Sequence, residues 1–505
     1  MGTQSAAYAD WKAPPRDGQI LLWPEPKQIL ADTLHNHQIL NAAAVMVQNV
    51  PLSELRRRQR ELLQIDESAP ILASGHQVEL YHPGVWAKDA LVSAAAEKLN
   101  GIGLHIAVDT DQPKHLTLRW PGLAIPITDD PRLGTAAWTG LLAAPSRERT
   151  REIASAMAEY EWKSQPELFG WIGEWINLLR EATPLSAAMT SACDFVDDVI
   201  GLKVRRLPAS ARLSSAPYLA LAYHLLALAG ETAGHYNSAL PDHRRVQNIR
   251  TPGRPMPDLT VSPDQCETPF WLDHLTTGER NRLTLSRRGG RWTLDEFEFD
   301  AALDGWTAAE KLEVYLRRRS LRLSPRALTL TLYLRLLLAD QFIHGIGGGR
   351  YDQVVDNLCP RLFNLAPPKF CVTTATLYFP GAENRARPSL PALAHEGHQL
   401  HHRLLGAEKM SMVAQIQALP RRSPQRRAMF DAMKKRLIEA AGGEEMRRWE
   451  THYAAAKAQI AADQPLWDRE LFYAIQPRQR LQWLAAQYRE KFWRLETRNW
   501  KPDAP

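Results

Sequence analysis

One short loop carries most of the side chains in this chain that can do chemistry. Gly75-His76-Gln77-Val78-Glu79-Leu80-Tyr81-His82-Pro83-Gly84 sets two imidazoles, an amide and a phenol side by side, and Lys88 follows in the next turn. A His or Lys placed there can serve as a base or stabilise a developing phosphate or carboxylate charge. The nucleotidyl-transfer pattern His-x-Gly-His is absent, because His82-Pro83-Gly84-Val85 lacks the second histidine. Further on, Asp109 and Asp111 can bind a substrate amine, a ribose or Mg²⁺. A turn or helix cap is the competing use of Asp109.

A second candidate is Gly345-Ile346-Gly347-Gly348-Gly349-Arg350, read as a glycine loop. Consecutive glycines let backbone N–H groups approach an anion, and the helix after them adds a favourable dipole. Asp340, Gln341 and His344 precede the loop, and Arg350, Tyr351 and Asp352 close it. It lacks the Gly-Lys-Ser/Thr of a phosphate loop, and a tight turn that needs glycine for geometry is the competing reading. Between the two candidates, residues 234–259 are polar, basic and rich in Pro and Gly, which reads as a surface loop or an anion-binding insertion with His235, Asn237, His243, Arg244 and Arg245. His395, His398 and His402 share one helical face, but their spacing is not His-Glu-x-x-His. They read as a polar helix start, and no metal centre is assigned.

These residues need elements to hold them. The apolar run 70–74, a helix over 86–99 and a second apolar run 104–108 make a strand, helix, strand unit of a parallel sheet. In such sheets ligands bind beyond the carboxyl ends of the strands, which puts the 76–84 loop and residues 109–112 on one rim. A second unit follows, with a helix at 326–339, a strand at 342–344, the glycine loop, a helix at 351–363 and a strand at 369–379. The two half-sheets form one Rossmann-like α/β core. Between them a hairpin at 115–127 and short antiparallel strands from 269 to 294 are expected, with His224 a core histidine in a buried segment at 219–228. From Pro391 the chain is helical: Met429, Met433 and Leu437, then Met446, Trp449, Tyr453 and Ile460, mark an apolar stripe that suits a helical hairpin or a dimerising coiled coil. The expected segments are 1–66 as an extended and helical lead-in, 67–230 and 321–385 as the core halves, 231–320 as an inserted connecting region, and 386–505 as the coiled-coil domain.

Composition narrows the function classes. A net charge of +6 over 505 residues could suggest nucleic acid, but the excess Arg of the C-terminal quarter is interleaved with Glu along helices, as on a solvated face. Cys193, Cys266, Cys359 and Cys371 are far apart and form no Cys-x-x-Cys pair, which suits free thiols in a reducing cytoplasm. The N-terminus has no apolar signal region, and no stretch reaches the apolar length of a membrane span.

In the order of its motifs the chain resembles the bacillithiol-biosynthesis cysteine-adding enzymes, a family of cysteine ligases. The resemblance is carried by Ser74-Gly75-His76-Gln77, Tyr81-His82-Pro83-Gly84, Lys88, Val108-Asp109-Thr110-Asp111, Ser324-Pro325-Arg326-Ala327-Leu328, the 343–349 turn, Pro367-Pro368-Lys369-Phe370-Cys371-Val372 and Gln476-Pro477-Arg478-Gln479-Arg480-Leu481. The family usually has a second Gln at His76, Thr-Gly-Pro at 81–83 and an Asp-His-Asp type strand end at 109–112. The resemblance implies a Rossmann-like core with inserted connecting segments, a dimerising C-terminal coiled coil, and a reaction joining cysteine to glucosaminyl-malate through an amide bond. It implies His76, Gln77, His82, Asp109 and Asp111 as catalytic residues. Gly75, Tyr81, Lys88, Asn237, His344, Gly347, Gly348, Gly349, Arg350, Tyr351 and Asp352 complete the expected substrate or nucleotide site. Asp109 or Asp111 would hold the cysteine ammonium, His76 or His82 would act as base or charge stabiliser, and the 347–349 amides with Arg350 would hold a phosphate or carboxylate. ATP or another adenine nucleotide with Mg²⁺ would activate the carboxyl. The rival expectations are a nucleotidyl- or adenylyl-transferase on the same rim, and a non-catalytic ligand-binding scaffold. The expected partners are small molecules and a second copy of the chain, with neither nucleic acid nor membrane.

Overall fold

Runs of buried apolar residues between turn residues set the strands. The computed structural model describes residues 11–120, 123–164, 172–180, 183–249, 256–382, 388–441 and 443–494. Along the chain the strands of its two larger sheets are β1 (Ile20–Trp23), β2 (Ile71–Gln77), β3 (Ile102–Val108), β4 (Arg205–Pro208), β5 (Gln265–His274), β6 (Arg280–Arg288), β7 (Arg291–Leu294), β8 (Phe297–Phe299), β9 (Leu321–Pro325), β10 (Gln341–His344) and β11 (Phe370–Ala375). The molecule is mixed α/β. One six-stranded sheet has the order β1-β11-β10-β2-β3-β4, parallel throughout except for β1 at its edge. The other is antiparallel, in the order β8-β7-β6-β5-β9. Among the described residues no helix is long and apolar enough to cross a membrane.

The crossover from β2 to β3 positions the loop of interest. Its helix, Pro83–Lys98, opens with Pro at the first position, where a missing N–H costs nothing, and with His82 as its cap. Ala-rich composition lets it settle onto the sheet, and Gly84 marks the closest approach: a Cβ there would lie 2.5 Å from Thr374 Oγ1 and 2.6 Å from Ala375 O. From β2 the chain runs outward to β3, and from β10 it runs the other way to β11. The order therefore diverges between β2 and β10, where a parallel sheet leaves a crevice at its carboxyl rim.

Four expectations change. Residues 234–246 are not a loop but part of the helix Ala229–Val246, whose buried Ala229, Thr232, Ala233, Tyr236, Ala239, Leu240 and His243 recur at helical spacing despite the polar composition and Pro241. The glycine stretch is not a loop either, because the helix Ile346–Phe363 begins within it. Gly349 is needed for packing: a Cβ there would sit 2.5 Å from Val372 Cγ2. The helix expected over 326–339 is α-helical only to Tyr333 and continues as a π turn, Leu334–Leu338. β9, which falls in the segment expected as the second core half, instead joins the antiparallel sheet, pairing with β5 from Leu321↔His274 to Pro325↔Phe270.

The chain divides into two compact units. One comprises Met1–Arg119, Leu123–Leu377 and Arg469–Pro505 and holds both sheets. Its last helix, Arg478–Trp493, buries Leu481, Leu484, Tyr488 and Phe492, and Tyr488 Oη lies 2.6 Å from Thr373 Oγ1 of β11. The other unit comprises Trp120–Gly122 and Tyr378–Asp468. In it the helices Pro424–Ala441 and Glu444–Asp463 pack on Leu390–Ala418, which bends at Gly406 (φ 45°). Met429, Met433 and Leu437 form a half-buried stripe, and Trp449 Nε1 donates to Leu393 O at 2.9 Å.

Candidate functional site

At the carboxyl ends of β2 and β3 a cleft of about 330 Å³ is lined by His76, Glu79, Tyr81, His82, Lys114 and His115, with Arg119, Glu470 and Phe472. His76 Nδ1 sits 3.2 Å from Gln77 O and 3.5 Å from Glu79 Oε1. Two acceptors beside Nδ1 assign the proton to that nitrogen and leave Nε2 as a lone-pair acceptor. Burial, reinforced by the nearby Lys88, pushes the His76 imidazole well below its usual range. It is therefore a neutral base at physiological pH. His82 Nδ1 accepts the Gly84 N–H at 3.0 Å, which leaves its Nε2 as a donor. Its pKa is lowered to about 4 by burial, with Arg469 adding to the effect.

A buried polar layer supports this loop from below. In register across three parallel strands stand Ser74, His105 and Arg206. They converge on Asp89 of the Pro83–Lys98 helix: Ser74 Oγ donates to Oδ1 at 2.5 Å, His105 Nδ1 lies 2.8 Å from Oδ1, and Arg206 reaches Oδ2 at 3.1 Å. Arg206 also lies 2.7 Å from Asp197 Oδ2 and 2.9 Å from Asp194 Oδ1, and donates to Tyr81 Oη at 3.3 Å. Burial works against the Asp89 charge, but His105 and Arg206 outweigh it and hold the carboxyl well below its usual range. Asp197 gains less, and burial raises it to about 6. Tyr81 stacks on Tyr473 with centroids 5.2 Å apart. The face of the cleft is thus backed by charge pairs among Asp89, His105, Arg206 and Asp197 that are buried, with Asp194 reaching Arg206 from the surface.

Other expected site residues have different partners. Asp109 caps a turn: its Oδ1 accepts the Ser210 N–H at 2.9 Å and its Oδ2 the Ser210 hydroxyl at 2.5 Å. Asp111 Oδ2 accepts from Gln77 Nε2 at 2.7 Å, so the two strand ends brace each other. Lys88 lies beneath the loop and donates to Gly75 O at 2.5 Å, its pKa lowered to about 8 by burial. Asn237 is no ligand contact, since both ends of its amide bond the backbone of Leu259, at 2.8 and 2.7 Å. His344 Nε2 lies 2.9 Å from Asp352 Oδ2, and Arg335 pairs with the same carboxylate at 2.5 Å, a buried structural cluster. Arg350 donates to Trp11 O at 2.7 Å, and Tyr351, 40% exposed, stands 5.8 Å from the ring of buried His243. Gly347 faces open space, whereas Gly348 and Gly349 pack on His344 and Val372. None of these lines the cleft.

The residues missed were Glu79 in the cleft and Asp89, His105 and Arg206 below it. A charged residue between Val78 and Leu80, and a histidine inside the apolar strand β3, were the available signals. His395 Nε2 lies 2.8 Å from Gln399 Nε2, the side chain of His402 is outside the described residues, and among the described residues no group of three or more His, Cys, Asp or Glu is placed to hold a metal ion. All four cysteines are free and buried. No known family's model matches the chain, and no curated protein matches it.

The neutral imidazoles carry a pH dependence. His82 and His224 both fall from 6.5 to about 4, His224 through burial alone. Between those values the unfolded chain binds more protons than the folded one, so stability is lost as pH drops from 6.5 toward 4. Urea midpoints between pH 7 and 4.5 should fall accordingly. His224→Gln, which keeps an acceptor for the Gln48 N–H, should flatten the slope by up to about 1.4 kcal/mol per pH unit. An unchanged slope would mean that His224 does not titrate there.

Proposed function

We propose that the protein is a cytoplasmic cysteine ligase of the bacillithiol type, built on a Rossmann-like core, that joins cysteine to an amino-sugar malate acceptor through an amide bond. The observation that carries this reading is a cleft holding a neutral histidine with a free Nε2 beside both acidic and basic walls. The acceptor amine attacks the activated cysteine carboxyl, the new C–N bond forms as the bond to the activating oxygen breaks, and His76 Nε2 takes the amine proton. His82 Nε2–H and Lys114, which line the same cleft, would balance charge on the carboxyl oxygens. ATP with Mg²⁺ would supply the activation. The N-terminus of Ile346–Phe363, where Gly345 and Gly347 face open space, suits a phosphate, and its backbone N–H groups would hold it. Exposed Met410, Phe430 and Ile438 on the C-terminal helices support a homodimer through a coiled coil.

The test is mass spectrometry of the protein incubated with cysteine and glucosaminyl-malate, with and without ATP and Mg²⁺. The expected product is the acceptor plus one cysteine residue, formed only with nucleotide. His76→Ala should slow its formation on the order of a hundredfold while leaving the melting temperature in place. Pyrophosphate release that needs no cysteine would point to a nucleotidyl-transferase instead, and no turnover of any kind from folded protein would favour a binding scaffold.

A further inference from the structure

Glu79 is 6% exposed, yet it lines the cleft, and among the described residues its Oε2 has no hydrogen-bond partner. A buried carboxylate oxygen left without a donor is costly, and it is tolerated where a ligand supplies the donor. Its other oxygen is braced by His76 Nδ1 at 3.5 Å. Burial raises the Glu79 pKa, while Lys114, His115 and the His115 backbone N–H, from the segment after β3, act in the other direction, and among the described residues neither side chain closes an ion pair with it. The two carboxylates at the strand end are already engaged, Asp109 by Ser210 and Asp111 by Gln77. Of the acids on the 76–84 loop and the β3 strand end, Glu79 is therefore the one that lines the cleft with an oxygen to offer, Glu470 lining it from another segment.

We propose that Glu79 Oε2 is the seat of a substrate α-ammonium, and that the cleft recognises an amino acid as a zwitterion, with its ammonium on Glu79 and its carboxyl toward His82 and Lys114. The proposal rests on the ligase reading for the identity of the amino acid and moves the ammonium site from the strand-end aspartates to the loop. An ammonium donates up to three hydrogen bonds and fits a buried carboxylate oxygen that still lacks a donor. Glu79 does not enter the bond-making step. It fixes the amino acid so that the carboxyl, and not the amine, faces the acceptor.

Calorimetric titration of the full chain with L-cysteine and with 3-mercaptopropionate, which lacks only the ammonium, tests this without any turnover. The wild type should prefer cysteine about tenfold or more, and Glu79→Gln should bring the two affinities together with 3-mercaptopropionate unchanged. Glu79→Asp, which keeps the charge, should retain part of the preference and guards against a glutamine variant that misfolds. Absence of a preference in the wild type, absence of cysteine binding, or a preference that survives Glu79→Gln would each overturn the assignment. If Glu79 merely orients His76, its loss slows turnover and leaves the preference intact. An ammonium preference without amide product fells the ligase reading and keeps the seat, whereas product formation with the preference intact in Glu79→Gln does the reverse.

Discussion

Arg206→Met is expected to destabilise the protein by about 3 to 5 kcal/mol, because it removes one partner of a buried charge cluster and leaves the others in place. The Arg206 side chain is 2% exposed, as is that of Asp197, and Asp89 is 1% exposed. Water cannot substitute for the guanidinium. Asp89 keeps Ser74 and His105, but Asp197 would keep only Trp86 Nε1 at 2.9 Å. Its carboxyl, already raised to about 6 by burial, would rise further and take up a proton. A carboxyl whose folded pKa exceeds its unfolded value stabilises the fold at low pH and loses that contribution as pH rises through the folded value. The defect of Arg206→Met should therefore be larger at pH 7.5 than at pH 5, as read from urea midpoints of both proteins. Arg206→Lys should rescue little, since one ammonium cannot span Asp89, Asp194, Asp197 and Tyr81 Oη as a planar fork does. A methionine variant within about 1 kcal/mol of the wild type at both pH values would show that the cluster is no keystone.

How much of this was legible in the sequence depends on the range of the interaction. The β2, helix, β3 unit shows in the sequence because its signals are local: two apolar runs, an Ala-rich segment, and Pro83 to open it. His76, Tyr81 and His82 share a cleft for the same reason, being neighbours in one loop. Asp109 follows directly on β3, as expected, but its partner Ser210 is 101 residues away and is brought to it through the pairing of β3 with β4. Glycine misled at 345–349, where composition suggested a loop and close packing on Val372 was the cause. Polar composition misled at 234–246, where a buried face at helical spacing outweighed it. The Ser74, His105, Arg206 row could not be seen at all without strand register, since one residue of slip in either neighbour would break it.

A second hub lies at the opposite rim of the sheet, and its disruption should separate stability from chemistry. Asp340, wholly buried, precedes β10 and collects Arg56 NH2 at 2.6 Å, His37 Nδ1 at 3.1 Å, Arg60 NH1 at 3.4 Å and the Ile71 N–H at 2.7 Å. One carboxylate thus ties the helices Pro26–Asn41 and Leu52–Leu62 to the amino ends of β2 and β10. Asn36 extends the tie, donating to Asp340 O at 2.7 Å and exchanging hydrogen bonds with the Lys369 backbone ahead of β11. Asp340→Asn keeps the shape but removes the charge facing two guanidinium groups, and the amide NH₂ cannot accept from either. A loss of about 3 to 5 kcal/mol is expected at pH 7, with faster hydrogen exchange at the Ile71 amide as the local sign. Arg60 retains the carbonyls of Asp66 and Ala69 and Arg56 retains Asn41 Oδ1 and Leu336 O, but Arg56 makes the closer pair with Asp340, at 2.6 Å against 3.4 Å, and its charge is the one left most exposed to the loss. Arg56→Met combined with Asp340→Leu should accordingly be more stable than Asp340→Leu alone, a coupling that a double-mutant cycle measures directly. Because this hub stands at the amino ends of the strands and the cleft at the carboxyl ends, ligand affinity per folded molecule should stay at the wild-type value. Weakened cysteine binding in folded Asp340→Asn would mean that the two rims are coupled through β2.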